Sequence, residues 1–392
     1  MKYRRTHFLI VFIGIVLFSC KKEESPEIAS DMKVFNFPVD KCITTPDNGF
    51  LLTYWSNSAY TAQYPNIIAK VDNNGTLLWK KNLNVDNYGY NGDIIQLKDG
   101  SIVSFQNIYD STNFVTFKYY YHIVFEKYDS QGNSLYTKKL YTSDSSNLSS
   151  AKIVELSSGD LMLTGGYLGG LFTLKTDKSG NYIWGQSIFS AYYIYDINKV
   201  IEMNTNGDVL LIAAGNYYAK IDSSGVLLWE QQKPIGIYEN SPTDVHKLNS
   251  NEYVITGYYD ASLDALYNYQ FFSYKINSLG DSLSSLIYGG SKQDFCLSST
   301  IDPNNNLVMV GMEGRWVNSS SLNLSSIRIL TVNPSLSTIS SDKTYADRQD
   351  CSALSVIYNS DGSLSMVGQK LAFGNQNSKH TFFLKINPDG SL

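Results

Sequence analysis

The sequence predicts an all-β fold, a seven-bladed β-propeller of four-stranded blades. Two kinds of turn each recur seven times along the chain, in alternation. The repeating unit of roughly 50 residues has the length of one propeller blade. The last unit stops one strand short, and an alternating segment near the N-terminus has the pattern needed to complete it.

The first repeated turn precedes an alternating apolar strand that often ends in Gly. Successive copies are 44 to 59 residues apart. Alternation of this kind is typical of strands, and Gly and Asn mark the tight turns between them. The copies begin at Asn48-Gly49, Asp99-Gly100, Ser158-Gly159, Asn206-Gly207, Ser250-Asn251, Asn304-Asn305 and Asp361-Gly362.

The second repeated turn has Asp or Asn three residues before Gly, which is hairpin chemistry because the Asx side chain caps the turn and Gly accepts a positive φ. The sixth copy has Leu336 in place of Gly, so we expect that turn to be built differently. The Asx residues are Asp72, Asp129, Asp177, Asp222, Asn277, Asn333 and Asn387. An aromatic residue follows four of these turns and predicts packing between neighbouring blades: Trp79, Tyr136, Trp184 and Trp229.

The propeller is expected to span residues 33–392, closed into a ring by an N-terminal strand. The seventh copy ends directly after its second turn, without the strand that should follow. Residues 34–37 alternate in polarity and precede the first complete copy. Pairing this segment with the last blade would remove the exposed edges of an open sheet.

The first 19 residues predict a lipoprotein signal peptide. Three basic residues precede an apolar run that is too short to cross a membrane, which takes roughly 20 residues. The run ends in Phe18-Ser19-Cys20, which resembles a lipobox, so we expect acylation of Cys20 and anchoring in the membrane. Residues 20–32 are expected to be a flexible tether. The alternatives are an ordinary signal peptide and an unusually short membrane helix.

The second turn and the Trp that follows it resemble the repeats of PQQ-like (quinoprotein-like) propeller lipoproteins of bacteria. This resemblance implies the fold and an outer-membrane lipid anchor, but it says little about function, since propellers host many functions. Lys22-Glu23-Glu24 also resembles a surface-export signal of some lipoproteins. We therefore expect display at the cell surface or, as the alternative, a position facing the periplasm.

The charge balance argues against a nucleic-acid partner. The chain has 31 Lys and Arg and 36 Asp and Glu; loss of the three basic residues of the signal gives 28 − 36 = −8. Nucleic-acid binding needs a basic face. No catalytic motif, metal motif or cofactor motif is present in the sequence, so neither a metal nor a cofactor is expected.

Two sets of residues are candidates for positions at the central channel. An Asp recurs near the strand that enters each first turn, as part of an acidic ring or as a partner of backbone amides: Asp40, Asp93, Asp196, Asp244, Asp294 and Asp350. Three thiols share these strands, as buried free cysteines or as members of a disulfide or metal site: Cys42, Cys296 and Cys351.

The segments of most variable length are rich in Tyr, Asn and Ser and are candidates for partner-binding loops. Exposed Tyr gives stiff, amphipathic contact area. The candidates are Tyr119, Tyr120, Tyr121, Tyr258, Tyr259, Tyr267 and Tyr269. The sequence thus favours a non-catalytic binding or scaffolding module for a protein or glycan. The alternative is a glycan-active hydrolase or lyase with carboxylates at the channel mouth.

Overall fold

The computed structural model describes residues 32–392, except 55–65, 83–88, 114–117, 144–147, 168–169, 193, 195, 233–239, 262–267, 291–292, 315–324, 346–350, 373–374 and 389–390. These described residues form seven four-stranded antiparallel sheets. The predicted all-β, seven-bladed propeller is therefore confirmed.

The N-terminal strand and the first four blades follow one another along the chain. The strands are β1 (Lys33–Phe35); in blade one β2 (Lys41–Thr44), β3 (Phe50–Tyr54), β4 (Ile67–Val71) and β5 (Leu77–Asn82); in blade two β6 (Gly89–Gln96), β7 (Ile102–Asn113), β8 (Lys118–Tyr128) and β9 (Ser134–Ser143); in blade three β10 (Leu148–Glu155), β11 (Leu161–Tyr167), β12 (Gly170–Thr176) and β13 (Tyr182–Ile188); and in blade four β14 (Ile197–Glu202), β15 (Val209–Ala213), β16 (Tyr217–Ile221) and β17 (Leu227–Gln232).

The remaining three blades complete the ring. Their strands are, in blade five, β18 (Asn240–Lys247), β19 (Glu252–Asp260), β20 (Tyr269–Asn277) and β21 (Ser282–Tyr288); in blade six β22 (Asp294–Ile301), β23 (Leu307–Glu313), β24 (Ser326–Val332) and β25 (Ile339–Tyr345); and in blade seven β26 (Cys351–Tyr358), β27 (Leu364–Ala372) and β28 (Asn375–Ile386).

The N-terminal strand closes the ring, as predicted. Strand β1 is the fourth strand of blade seven and pairs with β28, with Val34 opposite Phe382. Beyond β1, the carbonyl oxygen of Phe37 accepts hydrogen bonds from the Thr381 amide at 3.0 Å and from its hydroxyl at 2.7 Å. The Phe37 ring is buried in the core between blades seven and one.

The hydrophobic core lies between neighbouring blades. Second and third strands are mostly apolar and mostly buried on both faces, and β4 and β15 are buried along their whole length. Fourth strands alternate between exposed and half-buried residues, as in β5, because they form the outer rim. First strands of neighbouring blades contact one another around the axis. Each first strand is therefore the innermost of its blade.

The aromatic residues that follow the second turns pack between neighbouring blades, as predicted. The Trp79 indole donates a hydrogen bond to the Ser130 carbonyl at 2.9 Å, in the second turn of the next blade. Its ring covers Gly132, where a Cβ would lie 2.6 Å from the indole. Gly132 also has φ +75°. Both its backbone conformation and its neighbour therefore require Gly.

The sixth copy of the second turn keeps the left-handed position without Gly. Leu336 has φ +57°, and its amide donates to the Asn333 carbonyl at 2.9 Å, as Gly does in the first five copies. The turn differs in that the Asn333 amide bonds to Thr338, one residue further on than elsewhere. The Leu336 side chain is buried in the core, and this burial offsets the backbone strain.

Candidate functional site

The first strands of all seven blades surround a cavity of about 550 Å³ on the propeller axis. This central channel is a candidate site because small-ligand pockets usually have volumes of about 300–1,000 Å³. Its wall combines apolar side chains such as Ile43, Ile95 and Ile357 with charged and hydroxyl-bearing ones.

One side chain from each blade lines the channel at an equivalent position. Each of these residues pairs with the same position of the neighbouring second strand, for example Lys41 with Thr53 and Asp244 with Thr256. We call this set the channel ring: Lys41, Asp93, Lys152, Lys199, Asp244, Ser298 and Ser355.

A β-bulge directly precedes the ring residue in blades two to seven. Bulges re-aim the side chains beside them and are frequent next to functional sites. The displaced backbone also explains why several second strands have Gly opposite the bulge. A Cβ at Gly257, Gly311 or Gly368 would overlap a carbonyl oxygen of the bulged first strand.

The channel ring lies toward one end of the channel. In each blade the connections from second to third strand, and from fourth strand to the next blade, lie on one side, which we call the loop face. Each first strand enters from the loop face, and most residues that line the cavity follow the ring residue along the strand, as Cys42 and Ile43 follow Lys41. The ring therefore lies at the end of the cavity nearer the loop face.

Both ring aspartates form ion pairs with lysines of a neighbouring blade. Lys41 pairs with Asp93, and the Lys199 amine lies 3.2 Å from Asp244. Each carboxylate also bonds to the first strand of the following blade: Asp93 accepts from the Ile153 amide at 2.8 Å, and Asp244 from the Ser299 amide at 3.3 Å. These aspartates link adjacent blades.

The protonation equilibria of the ring reflect burial and close charges. Burial alone would raise the pKa of Asp244, but Lys199 and His246 lower it below its usual value. Burial lowers the pKa of Lys41 well below its usual value, and Lys152 lowers it further. Burial and Lys199 also lower the pKa of Lys152. Three amines therefore share one small, poorly solvated volume.

The other predicted aspartates occupy different places. Asp40 is exposed and lines the channel mouth, whereas Asp196 is exposed outside the lining. Asp294 is fully buried, 2.8 Å from the Arg328 guanidinium and outside the channel lining, and burial raises its pKa. Asp350 lies outside the described residues. Three lysines accompany the acidic groups of the channel, so its charge is mixed.

Sequence reasoning missed the three lysines of the ring. Lys41 follows Asp40 directly, and Lys152 and Lys199 occupy the positions in blades three and four that Asp93 and Asp244 occupy in blades two and five. The signal was a charged residue just before an apolar pair in the first strands of blades one to four. A bulge precedes this residue in blades two to four but not in blade one, and this difference obscured the alignment.

The predicted tyrosines fall on strands of blades two and five. Tyr258 and Tyr269 pack against Phe295 of the next blade, with ring centroids 4.9 and 4.5 Å away. Tyr259 is buried, and its hydroxyl bonds to Gln270 at 3.3 Å. The backbone of the remaining blade-two candidates lies in β8, and their side chains, like all of Tyr267, lie outside the described residues: Tyr119, Tyr120 and Tyr121.

The three cysteines of the first strands are free thiols. Cys296 and Cys351 are buried, and Cys42 lines the channel. Burial raises the pKa of Cys296 to about 12, so this thiol is uncharged at neutral pH. Within the described ranges no three His, Cys, Asp or Glu residues cluster as metal ligands.

No protein-family model and no curated protein matches this sequence. Among solved structures, the crystal structure of BamB from Moraxella catarrhalis is 10% identical over 91% of this chain and 100% of that chain, with a TM-score of 0.46. The Dos1 propeller is 9% identical over 89% and 79%, with a TM-score of 0.48. The NanB sialidase from Streptococcus pneumoniae is 9% identical over 93% and 70%, with a TM-score of 0.49.

The N-terminal 31 residues, with Cys20, lie outside the described part of the chain. Met32, the last residue of the predicted tether, is buried in the core between blades six and seven. In the ranges that the structure describes, no helix has the length and apolarity needed to span a membrane.

Proposed function

We propose that this protein is a membrane-anchored, non-catalytic binding module that captures a protein or glycan partner on the loop face. The observation that carries this proposal is the length of one hairpin. Strands β7 and β8 of blade two continue well beyond the level at which the corresponding strands of blade four turn.

The hairpin rises from the loop face, because it joins the second and third strands of its blade. In blade four the second and third strands end at the pair Ala213 and Tyr217. The position equivalent to Ala213 in blade two is Gln106, and β7 runs on to Asn113, which pairs with Lys118. At 3.3 Å per residue this extension is roughly 20 Å long. It offers a partner a two-stranded surface that contains three consecutive tyrosines, residues 119–121.

The channel carboxylates favour binding over glycan hydrolysis. A glycosidase uses one carboxylic acid of raised pKa and a second, accessible carboxylate. Asp93 and Asp244 are each paired with a lysine and bonded to a backbone amide. Asp294 has a raised pKa, but it lies outside the channel lining against Arg328. These contacts suit structural roles.

The anchor in this proposal is a diacylglyceryl group on Cys20, which holds the protein at the outer membrane, on the cell surface or facing the periplasm. The apolar run ending in Ser19-Cys20 supports it. Mass spectrometry of the mature N-terminus tests it: a first residue other than Cys20, or an unmodified Cys20, contradicts lipidation. Protease shaving of intact cells distinguishes the two orientations.

The binding proposal is tested by cross-linked pulldown from native envelopes with the full mature protein. We expect the triple variant Tyr119→Ala, Tyr120→Ala and Tyr121→Ala to lose most of the captured partner. The control is Tyr182→Ala, since Tyr182 is 54% exposed on the outer strand of blade three. Polysaccharide turnover that disappears in Asp244→Asn would instead establish the enzyme alternative.

A further inference from the structure

We propose that the central channel binds a small anionic ligand about the size of one sugar, with its oxyanion group held by Lys41, Lys152 and Lys199. This inference goes beyond capture of a partner by the hairpin and does not depend on it. It rests on the composition of the channel ring and on the shape of the cavity.

The ring carries one more lysine than aspartate. Asp93 is engaged by Lys41, and Asp244 by Lys199. Lys152, from the blade between Asp93 and Lys199, faces the amines of Lys41 and Lys199, and Asp196 acts on it through a longer-range attraction. Amines gathered in a poorly solvated space repel one another. An anion placed among them relieves this repulsion.

The rest of the cavity suits the uncharged part of such a ligand. Across the channel from Lys152, in blades six and seven, Ser298 and Ser355 occupy the ring positions. Asn198 and Thr243, on the bulges, add an amide and a hydroxyl to the lining. A cavity of about 550 Å³ holds one sugar-sized molecule together with several waters. Hydroxyl groups of the ligand would find partners along this wall.

Carboxylate and phosphate share the chemistry that the lysines recognise, so the experiment includes both. Isothermal titration calorimetry of the mature protein with glucuronate, glucose 6-phosphate, inorganic phosphate and glucose tests the proposal. We expect at least one charged sugar to bind, and neutral glucose to bind at least about tenfold more weakly, since a charged hydrogen bond is lost. Which charged sugar binds identifies the oxyanion.

The decisive variant is Lys152→Met, because removal of this half-buried amine relieves repulsion and leaves both ion pairs in place. We expect it to fold and to bind the charged sugar at least about tenfold more weakly. The control Lys178→Met changes a lysine that is 61% exposed outside the channel and should leave binding unchanged. Unchanged binding in Lys152→Met, or binding of none of the three anions, overturns the proposal. If inorganic phosphate binds but neither charged sugar does, the ligand is not the size of a sugar.

The pH dependence of the affinity distinguishes binding at the channel lysines from binding of the anion at the protein surface. An anion favours the charged form of the lysines, so affinity should fall as pH rises from 7 to 9, with proton uptake visible as a buffer-dependent heat. The charged and titratable groups that surround the site are Asp40, Lys41, Cys42, Asp93, Lys152, Asp196, Lys199, Asp244, His246 and Tyr358. Affinity that does not change between pH 7 and 9 contradicts binding by these amines.

Discussion

In the second turn, the choice of amino acid at a position is restricted for two separate reasons. One is the backbone conformation, and the other is contact with a neighbouring blade. Gly132 combines φ +75° with the indole of Trp79 directly above it. Gly159, in a first turn, has φ +85° and no neighbouring atom within 4 Å of an added Cβ. Gly159 is therefore required by its backbone conformation alone, whereas Gly132 is required both by its backbone conformation and by the contact with Trp79.

Substitution of these two glycines by Ala should give unequal losses of stability. Gly159→Ala introduces only left-handed strain and should cost about 1–2 kcal/mol. Gly132→Ala adds a clash with Trp79, which typically costs a further ~1–3 kcal/mol. Urea unfolding measures both values. Equal losses would show that the contact between blades one and two imposes no restriction at Gly132.

The repeated turns in the sequence predict which side chains cap the turns, but they do not predict how far each strand extends. Asp129 and its equivalents were recognisable because a side-chain cap three residues before Gly is a local signal. Tyr259 was taken for a loop residue, but it is buried because β19 extends as far as Asp260. Strand length in a blade depends on pairing with neighbouring strands, and a sequence window does not contain that information.

At the scale of strands, closure of the ring depends on a short element. Strand β1 contributes three residues, and its exposed Val34 contributes little to the core. The segment that follows it carries Phe37, which is 4% exposed and lies between blades seven and one. The segment after β1, with Phe37 and Val39 in this core, therefore contributes more to the closure than Val34 does.

Substitutions of Phe37 and Val34 test how much each residue stabilises the closure of the ring. Phe37→Ala should lower the free energy of unfolding by about 3–5 kcal/mol, as for other buried aromatic residues. Val34→Ala should cost about 1 kcal/mol or less, because its side chain is 44% exposed. Thermal unfolding followed by circular dichroism compares the two variants. A Val34→Ala loss as large as that of Phe37→Ala would contradict the assignment.

The strands could be predicted more completely than the channel they surround. Apolar runs after the first turns, such as those of β15 and β23, identify buried strands, and the absent last strand pointed to closure by β1. The channel ring was hidden because a bulge shifts the first strands of blades two to seven by one residue, whereas blade one has no such shift. Its lysines become equivalent only when pairing with the second strands is known.

At the scale of the whole molecule, the buried amines make stability depend on pH. The pKa values of Lys41 and Lys152 are lowered in the folded protein, chiefly by burial, and both should return to about 10.4 in the unfolded chain. Between the lowered and the ordinary pKa, the unfolded chain binds more protons than the folded protein. The free energy of unfolding therefore rises with pH across this window.

We expect the urea midpoint of the ligand-free protein to rise from pH 7.5 to pH 9, and to rise less in Lys152→Met. Lys178→Met should retain the wild-type slope, because its side chain is 61% exposed. The comparison stays below pH 10, since buried tyrosines such as Tyr274 have raised pKa values and oppose the trend above that pH. The same slope in both variants would mean that Lys152 is as well solvated as Lys178.

The channel ring also has a consequence for how proteins of this architecture diverge. The seven blades share a backbone plan, yet each supplies a different choice of Lys, Asp or Ser at one position. A single substitution there changes the channel charge by one unit while the turns and the cores between blades stay the same. Ligand preference can therefore evolve one blade at a time, without selection having to rebuild the scaffold.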